Sequence, residues 1–174
     1  LADANVIRYK TFNARAESIE SKPSFSLSVR SKRCIIPVKG FFEWQHAGKS
    51  KIPWYIFHHE NEILSIAGLF DEWIESNTGE KFSTFSIVTT DANDLMAEIH
   101  NSARRMPVIL DRASEIVWKD QSSSLDDILK IPGPCPSEIL KAHTVSPLIN
   151  GRGADRNTPD VIKPFTYNTG NLLF

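Results

Sequence analysis

In Phe41-Phe42-Glu43-Trp44 a carboxylate stands among three aromatic rings, at the end of an apolar run that begins at Ile35. Burying an unpaired carboxylate is costly, so a glutamate there needs a specific partner or must hold its proton. Both conditions suit a general acid or base in a cleft. A glutamate at a sheet edge, paired to an arginine or lysine, explains the same residues equally well.

Two further stretches carry reactive types at suggestive spacing. In TFNARAES (11–18), Asn13, Arg15 and Glu17 alternate with small residues. If the segment is extended, amide, guanidinium and carboxylate share one face. Spacing alone favours a solvated edge strand over a binding face. In EIHNSARRMPVIL (98–110), His100 ends a helix-like segment and is followed by a polar loop with Arg104 and Arg105. A lone histidine is more often structural than catalytic, but one beside two arginines in a loop suits anion recognition. His143, in KAHTVSP, is a weaker candidate of the same kind. Cys34, between Arg33 and an apolar run, reads as a buried strand thiol. No Cys or His spacing fits a metal site, and no Gly-rich phosphate loop or GxSxG elbow occurs. Neither metal nor cofactor is expected.

The elements that must position these residues are short. Ten prolines and eight glycines interrupt the apolar runs and argue against a helix bundle. Strands are expected at 34–38, 41–44, 53–59, 63–70 and 82–90, rich in β-branched and aromatic residues. The segments 45–52 and 76–81 read as hairpin connections, with Gly48 and Gly79 supplying turn chemistry. Short helices are expected at 91–100, capped by Asp91 or Asn93, and at 112–120, capped by Asp111. Two more are expected at 125–130 and 137–142, and the tail from Val145 should be mostly irregular. The sequence predicts one compact α+β domain over residues 1–174, built mainly from antiparallel strands.

A net charge of −1 announces no global basic field, although a local basic groove can hide in a neutral total. Two cysteines, Cys34 and Cys135, make no disulfide framework, so a reducing, cytoplasmic setting is expected. No apolar run reaches the ~18 residues of a membrane span. A monomer is expected, since there is no heptad or unused apolar stripe. The chain opens LADANVIRYK without an initiator Met.

Taken in order, N-A-R-x-E (13–17), R-C-I-I-P-x-x-G-F-F-E-W (33–44), F-x-I-V-T-T (85–90), I-H-N-x-x-x-R-M-P-V-I-L (99–110) and V-S-P-x-x-N (145–150) resemble the SRAP family. Its members are SOS-response-associated peptidases that process abasic sites. The resemblance runs from Thr11 to Phe165. It implies a bifurcated, mainly antiparallel sheet or barrel with short flanking helices and a positively charged groove for single-stranded DNA. It implies covalent capture of abasic sites: the α-amine of an N-terminal cysteine attacks the ring-opened sugar aldehyde, and its thiol closes a thiazolidine. Strand cleavage by β-elimination and removal of the protein's own Met or propeptide are implied as further activities.

Residue by residue, the resemblance gives Asn13 the task of orienting the cysteine and sugar, and Arg15 that of gripping phosphate. Glu43 takes the place of the active-site glutamate and His100 that of the histidine acting around the sugar oxygens. Thr89 falls where the family has a DNA-contacting hydroxyl. Arg105, directly before Met-Pro, is the phosphate ligand of its loop, with Arg104 beside it. The family's M-C-G-R start is absent, and Cys34 cannot replace it, because a thiazolidine needs amine and thiol on one terminal residue. The expectation is that roughly 60–70 residues precede Leu1. Two other readings remain: a non-covalent single-stranded DNA-binding module using Arg15, Arg104, Arg105 and exposed aromatics, and a peptidase.

Overall fold

Nine strands form among the described residues of the computed structural model, which are 9–75, 77–151 and 156–167, and runs rich in β-branched and aromatic residues supply the longer ones, β2 to β6. The opening residues, to which the expectation of a missing start attaches, lie outside them. In chain order the strands are β1 (Asn13–Arg15), β2 (Arg33–Val38), β3 (Phe41–Ala47), β4 (Ser50–His58), β5 (Leu64–Ile74), β6 (Lys81–Asp91), β7 (Arg105–Pro107), β8 (Ile109–Leu110) and β9 (Leu140–Thr144). Short α-helices accompany them, among them α1 (Ser28–Ser31), α2 (Asp94–Ile99), α3 (Arg112–Lys119) and α4 (Leu125–Lys130). The fold is α+β; β3–β4, β4–β9, β5–β6 and β5–β8 pair antiparallel, and β1–β6 pairs parallel.

The chain divides into two compact units. The first comprises Leu1–Pro37, Ser65–Asp91 and Pro107–Cys135. Its sheet runs β1-β6-β5-β2, with β8 paired to β5. Ala14, Val29, Val88, Val108 and Trp118 are fully buried at its centre. Trp118 donates its indole N–H to the Cys34 carbonyl at 2.9 Å. Arg33, only 3% exposed, spends its guanidinium on the carbonyls of Val29, Arg30, Trp118 and Asp120, at 2.6–2.8 Å. A buried cation with four of its five N–H donors accepted by backbone is a structural cross-brace, not a ligand grip. The Cys34 thiol packs under Gly68, where a Cβ would come within 2.9 Å of the sulfur, and burial pushes the thiol's pKa up. That agrees with an inert strand thiol. Beyond the core, β5 and β6 continue as an exposed arm on which Trp73 and Phe82 pack ring to ring at 5.6 Å.

The second unit comprises Val38–Leu64, Ala92–Met106 and Pro136–Phe174, with sheet order β3-β4-β9. The expected connection over 45–52 is shorter than predicted. β3 runs to Ala47 and β4 starts at Ser50, so Gly48 and Lys49 make the turn and Gly48 takes φ +58°. Gly40 is required for a different reason. A Cβ there would meet the Ile56 carbonyl and the Tyr55 ring at 2.5 Å, so the β3 entry lies directly against β4.

The helix expected over 137–142 does not form. Only Ser137–Ile139 make a 3-10 turn, and Leu140–Thr144 become β9. There, pairing with β4 (Leu140 with His58, Thr144 with Trp54) outweighs the helix propensity of Leu, Lys and Ala. The helix starts are as expected. Asn93, not Asp91, caps α2 by accepting the Met96 N–H, and Asp111 caps α3 by accepting that of Ser114. The tail holds two 3-10 turns, Pro147–Asn150 and Pro159–Ile162, and the latter end is fastened by a Val145–Pro164 bridge.

Candidate active site

Glu43 lies mid-strand in β3, on the face shared with Phe41 and Gln45 and opposite Trp54 of β4. It is not an isolated carboxylate among rings. One oxygen, Oε1, accepts the backbone N–H of Trp44 at 2.9 Å. The other, Oε2, lies 3.4 Å from Nδ1 of His100. Both side chains are partly open to solvent, at 23% and 22% exposure, so the pair can be reached by a substrate.

His100 terminates α2, and its N–H bonds the Met96 carbonyl at 2.7 Å. Its Nδ1 also lies 2.9 Å from the carbonyl oxygen of Arg105. A carbonyl only accepts, and a carboxylate only accepts, so Nδ1 carries the hydrogen. In the neutral ring Nε2 therefore holds the lone pair, and in the charged ring it is a second donor. The arrangement fixes the tautomer and leaves Nε2 as the nitrogen that can exchange a proton with a substrate.

The two loop arginines have different places. Arg104 is exposed and sits at φ +50°, held by its N–H to the His100 carbonyl (2.8 Å) and by its carbonyl accepting from Ala92 (3.0 Å). Arg105 is half-buried and starts β7. Its backbone carbonyl touches the Glu43–His100 pair, through the bond to His100.

In the first unit, β1 runs parallel to β6 with Asn13 beside Ile87, Ala14 beside Val88 and Arg15 beside Thr89. Ala14 is fully buried while Asn13 and Arg15 are exposed, so the alternation places amide and guanidinium on the outer face, with Thr89 next to Arg15. Glu17 does not continue that face, because the strand ends at Arg15 and Ala16–Ser18 form a 3-10 turn. The structure thus gathers Asn13, Arg15 and Thr89 in one unit and Glu43, His100, Arg104 and Arg105 in the other. A groove of about 370 Å³ in the first unit, lined by Glu17, Thr90, Asp91 and Pro132, contains none of these residues.

Sequence reasoning missed the residues that brace the pair. Trp44 donates its indole N–H to Oδ1 of Asn150 at 2.9 Å, joining the F-F-E-W and V-S-P-x-x-N stretches. Gln45 donates to the Glu98 carbonyl at 3.1 Å, and the Asn101 amide bonds both backbone groups of His46. Asn150 and Asn101 belong to the quoted motifs, which was the available signal. Their partners are distant in sequence and gave none. His143 is structural: its ring packs against both Tyr55 and Phe57, and Nε2 meets the Ile162 carbonyl at 2.8 Å. Among the described residues no group of three or more His, Cys, Asp or Glu gathers to hold a metal, and no helix is long and apolar enough to cross a membrane.

The chain is thus an α+β protein with a carboxylate–imidazole pair, Glu43 and His100, reaching from the outer strand of one sheet, and with exposed arginines on β1 and on the loop after α2. The chain belongs to the SOS response associated peptidase (SRAP) family, whose pattern matches residues 1–152. It is similar to the abasic site processing protein YoqW of Bacillus subtilis, 38% identical over 159 residues, covering 90% of this chain and 68% of that protein. It is also similar to the abasic site processing protein HMCES of Xenopus tropicalis, 31% identical over 178 residues, covering 91% of this chain and 51% of the relative. Among solved structures, a protein from Bacteroides thetaiotaomicron superposes with a TM-score of 0.88 at 39% identity, covering 94% of this chain and 70% of the other.

Proposed function

We propose that the protein processes abasic sites in single-stranded DNA by covalent capture, with Glu43 and His100 managing the protons and Asn13, Arg15, Thr89, Arg104 and Arg105 binding sugar and backbone. The observation that carries this reading is the Glu43–His100 pair, with Nδ1 held by two acceptors and Nε2 left to act. The names of the relatives support the substrate.

In the proposed reaction the α-amine of the family's N-terminal cysteine adds to the aldehyde carbon of the opened sugar. The carbinolamine then loses its hydroxyl as water, one proton being delivered to the hydroxyl and one removed from nitrogen, and leaves an imine. The thiol sulfur adds to the imine carbon and its proton passes to nitrogen, closing the thiazolidine; the net change is aldehyde plus cysteine to thiazolidine plus water. Water loss needs an acid beside the hydroxyl and a base beside the amine, which are the tasks of His100 Nε2 and Glu43. An α-amine with pKa ~8 is already partly neutral at pH 7, so little activation is demanded of the site. The same imine can instead lose the 3′ phosphate by β-elimination, which is the proposed lyase activity.

The test is a denaturing gel after incubation with single-stranded DNA carrying one abasic site, using this chain alone and preceded by the family's N-terminal cysteine segment. A band shifted by one protein mass, present with the cysteine and lost when it is changed to alanine, is expected. No shifted band from the cysteine-bearing protein overturns covalent capture. Retention of intact and abasic DNA alike on a native gel would then assign the non-covalent DNA-binding reading.

A further inference from the structure

We propose that Asn101 is a positioning residue for the acid–base pair, which it sets by clamping the His100 loop to the edge of β3. This inference rests on the functional reading of that pair. Among the described residues β3 is the outer strand of its sheet, so along one side its backbone groups face no neighbouring strand there. The side-chain amide of Asn101 fills part of that edge as a further strand would. Its Oδ1 accepts the His46 N–H at 3.0 Å, and its Nδ2 donates to the His46 carbonyl at 2.9 Å. Two bonds to both groups of one residue fix direction as well as distance, which a single bond does not.

The same edge holds the carboxylate. Backbone groups of alternate residues point the same way, so the Trp44 N–H, two residues before His46, also faces outward, and it binds Glu43 Oε1 at 2.9 Å. One strand edge therefore carries Glu43 at Trp44 and, about 7 Å along, Asn101 at His46. His100 is the residue before Asn101. The 3.4 Å separation of Glu43 Oε2 from His100 Nδ1 is then set by this edge, used as a ruler. Asn101 is exposed and lies outside the core, so its amide can be removed without opening a cavity.

The experiment compares wild type with Asn101→Ala and Asn101→Asp, each carrying the N-terminal cysteine segment. It reads the abasic-DNA cross-linking rate, DNA affinity, and the ¹⁵N and ¹H signals of the His100 ring, identified by their loss in His100→Gln. With the clamp gone, Asn101→Ala should cross-link about a hundredfold more slowly at unchanged DNA affinity. Its ring should also show faster exchange of the Nδ1 hydrogen. A protonated aspartic acid can both accept from and donate to His46, whereas its carboxylate cannot donate. Asn101→Asp should therefore regain the wild-type ring signals as pH falls, a response that general destabilisation would not give. Ring signals identical to wild type in Asn101→Ala overturn the inference, whatever the DNA chemistry shows. If wild type fails to cross-link, the functional reading fails while the ring signals still decide the role of Asn101. If Asn101→Ala does not fold, the pH response of Asn101→Asp decides, and its absence overturns the proposal.

Discussion

Arg15 stands beside Thr89 in the parallel β1–β6 pair, with Asn13 two residues earlier on the same exposed face. Parallel pairing of so short a strand is held by Ala14, which packs its methyl into the core next to Val88 and leaves its neighbours no inward option. A guanidinium so displayed on a rigid strand is suited to a phosphate. Arg15→Ala should weaken single-stranded DNA binding and flatten the dependence of log K on log salt by about 0.7, the signature of one lost phosphate contact. Titration at four or five salt concentrations checks this. An unchanged slope would return β1 to the role of a solvated edge strand.

Glu43→Gln removes the charge while its amide oxygen can still accept the Trp44 N–H, so β3 should keep its shape. The cross-linking rate should fall about a hundredfold or more, and DNA affinity should stay within about twofold, because general acid–base catalysis acts only on the reacting atoms. Single-turnover gels and a binding titration separate the two. Parallel loss of rate and affinity would make Glu43 a scaffold residue.

Arg104 adopts φ +50°, a conformation that costs a non-glycine residue about 1–2 kcal/mol. Glycine would relieve that strain while adding about 0.4–1 kcal/mol of unfolded-chain entropy. Arg104→Gly should therefore be neutral to about 1 kcal/mol more stable in urea unfolding, yet bind single-stranded DNA more weakly. Higher stability with undiminished binding would show that the exposed guanidinium is not used.

The α+β class and most strands were legible because segments rich in β-branched and aromatic residues, bounded by turn formers, become strands, as in β6 and β3. The helix caps were legible for the same local reason, since Asn93 and Asp111 bond backbone groups three residues on. What escaped was decided at a distance. Leu140–Thr144 has a helical composition but finds a strand partner over eighty residues upstream, at Trp54–His58. Glu43 and His100 were each singled out, yet nothing local says that they meet, or that the Arg105 carbonyl fixes the ring. Asn101 drew no notice because a solvent-facing asparagine in a loop is ordinary until its strand-edge partner is known.

Asp111 links this local chemistry to a pH-dependent stability. Its carboxylate accepts the Ser114 N–H at 2.7 Å at the start of α3, and that bond holds its pKa below the usual carboxylate value. A group whose folded pKa is depressed stabilises fully above its unfolded pKa, ~3.9 for aspartate, and loses that contribution as pH falls through the folded pKa. Asp111→Ala should therefore cost about 1 kcal/mol near pH 7, the usual worth of an N-cap. The gap to wild type should narrow towards pH 3. Asp111→Asn keeps an acceptor oxygen without a titrating proton, so its own cap should not weaken in acid. Wild type should accordingly lose stability relative to Asp111→Asn between pH 5 and 3. Asp71, Glu115, Asp120 and Asp127 also have lowered pKa values, so stability of every variant falls in acid and only differences between variants report Asp111. Urea midpoints at pH 7, 5, 4 and 3 measure those differences. A gap between wild type and Asp111→Ala that stays constant down to pH 3 would mean that the cap bond contributes nothing through its charge.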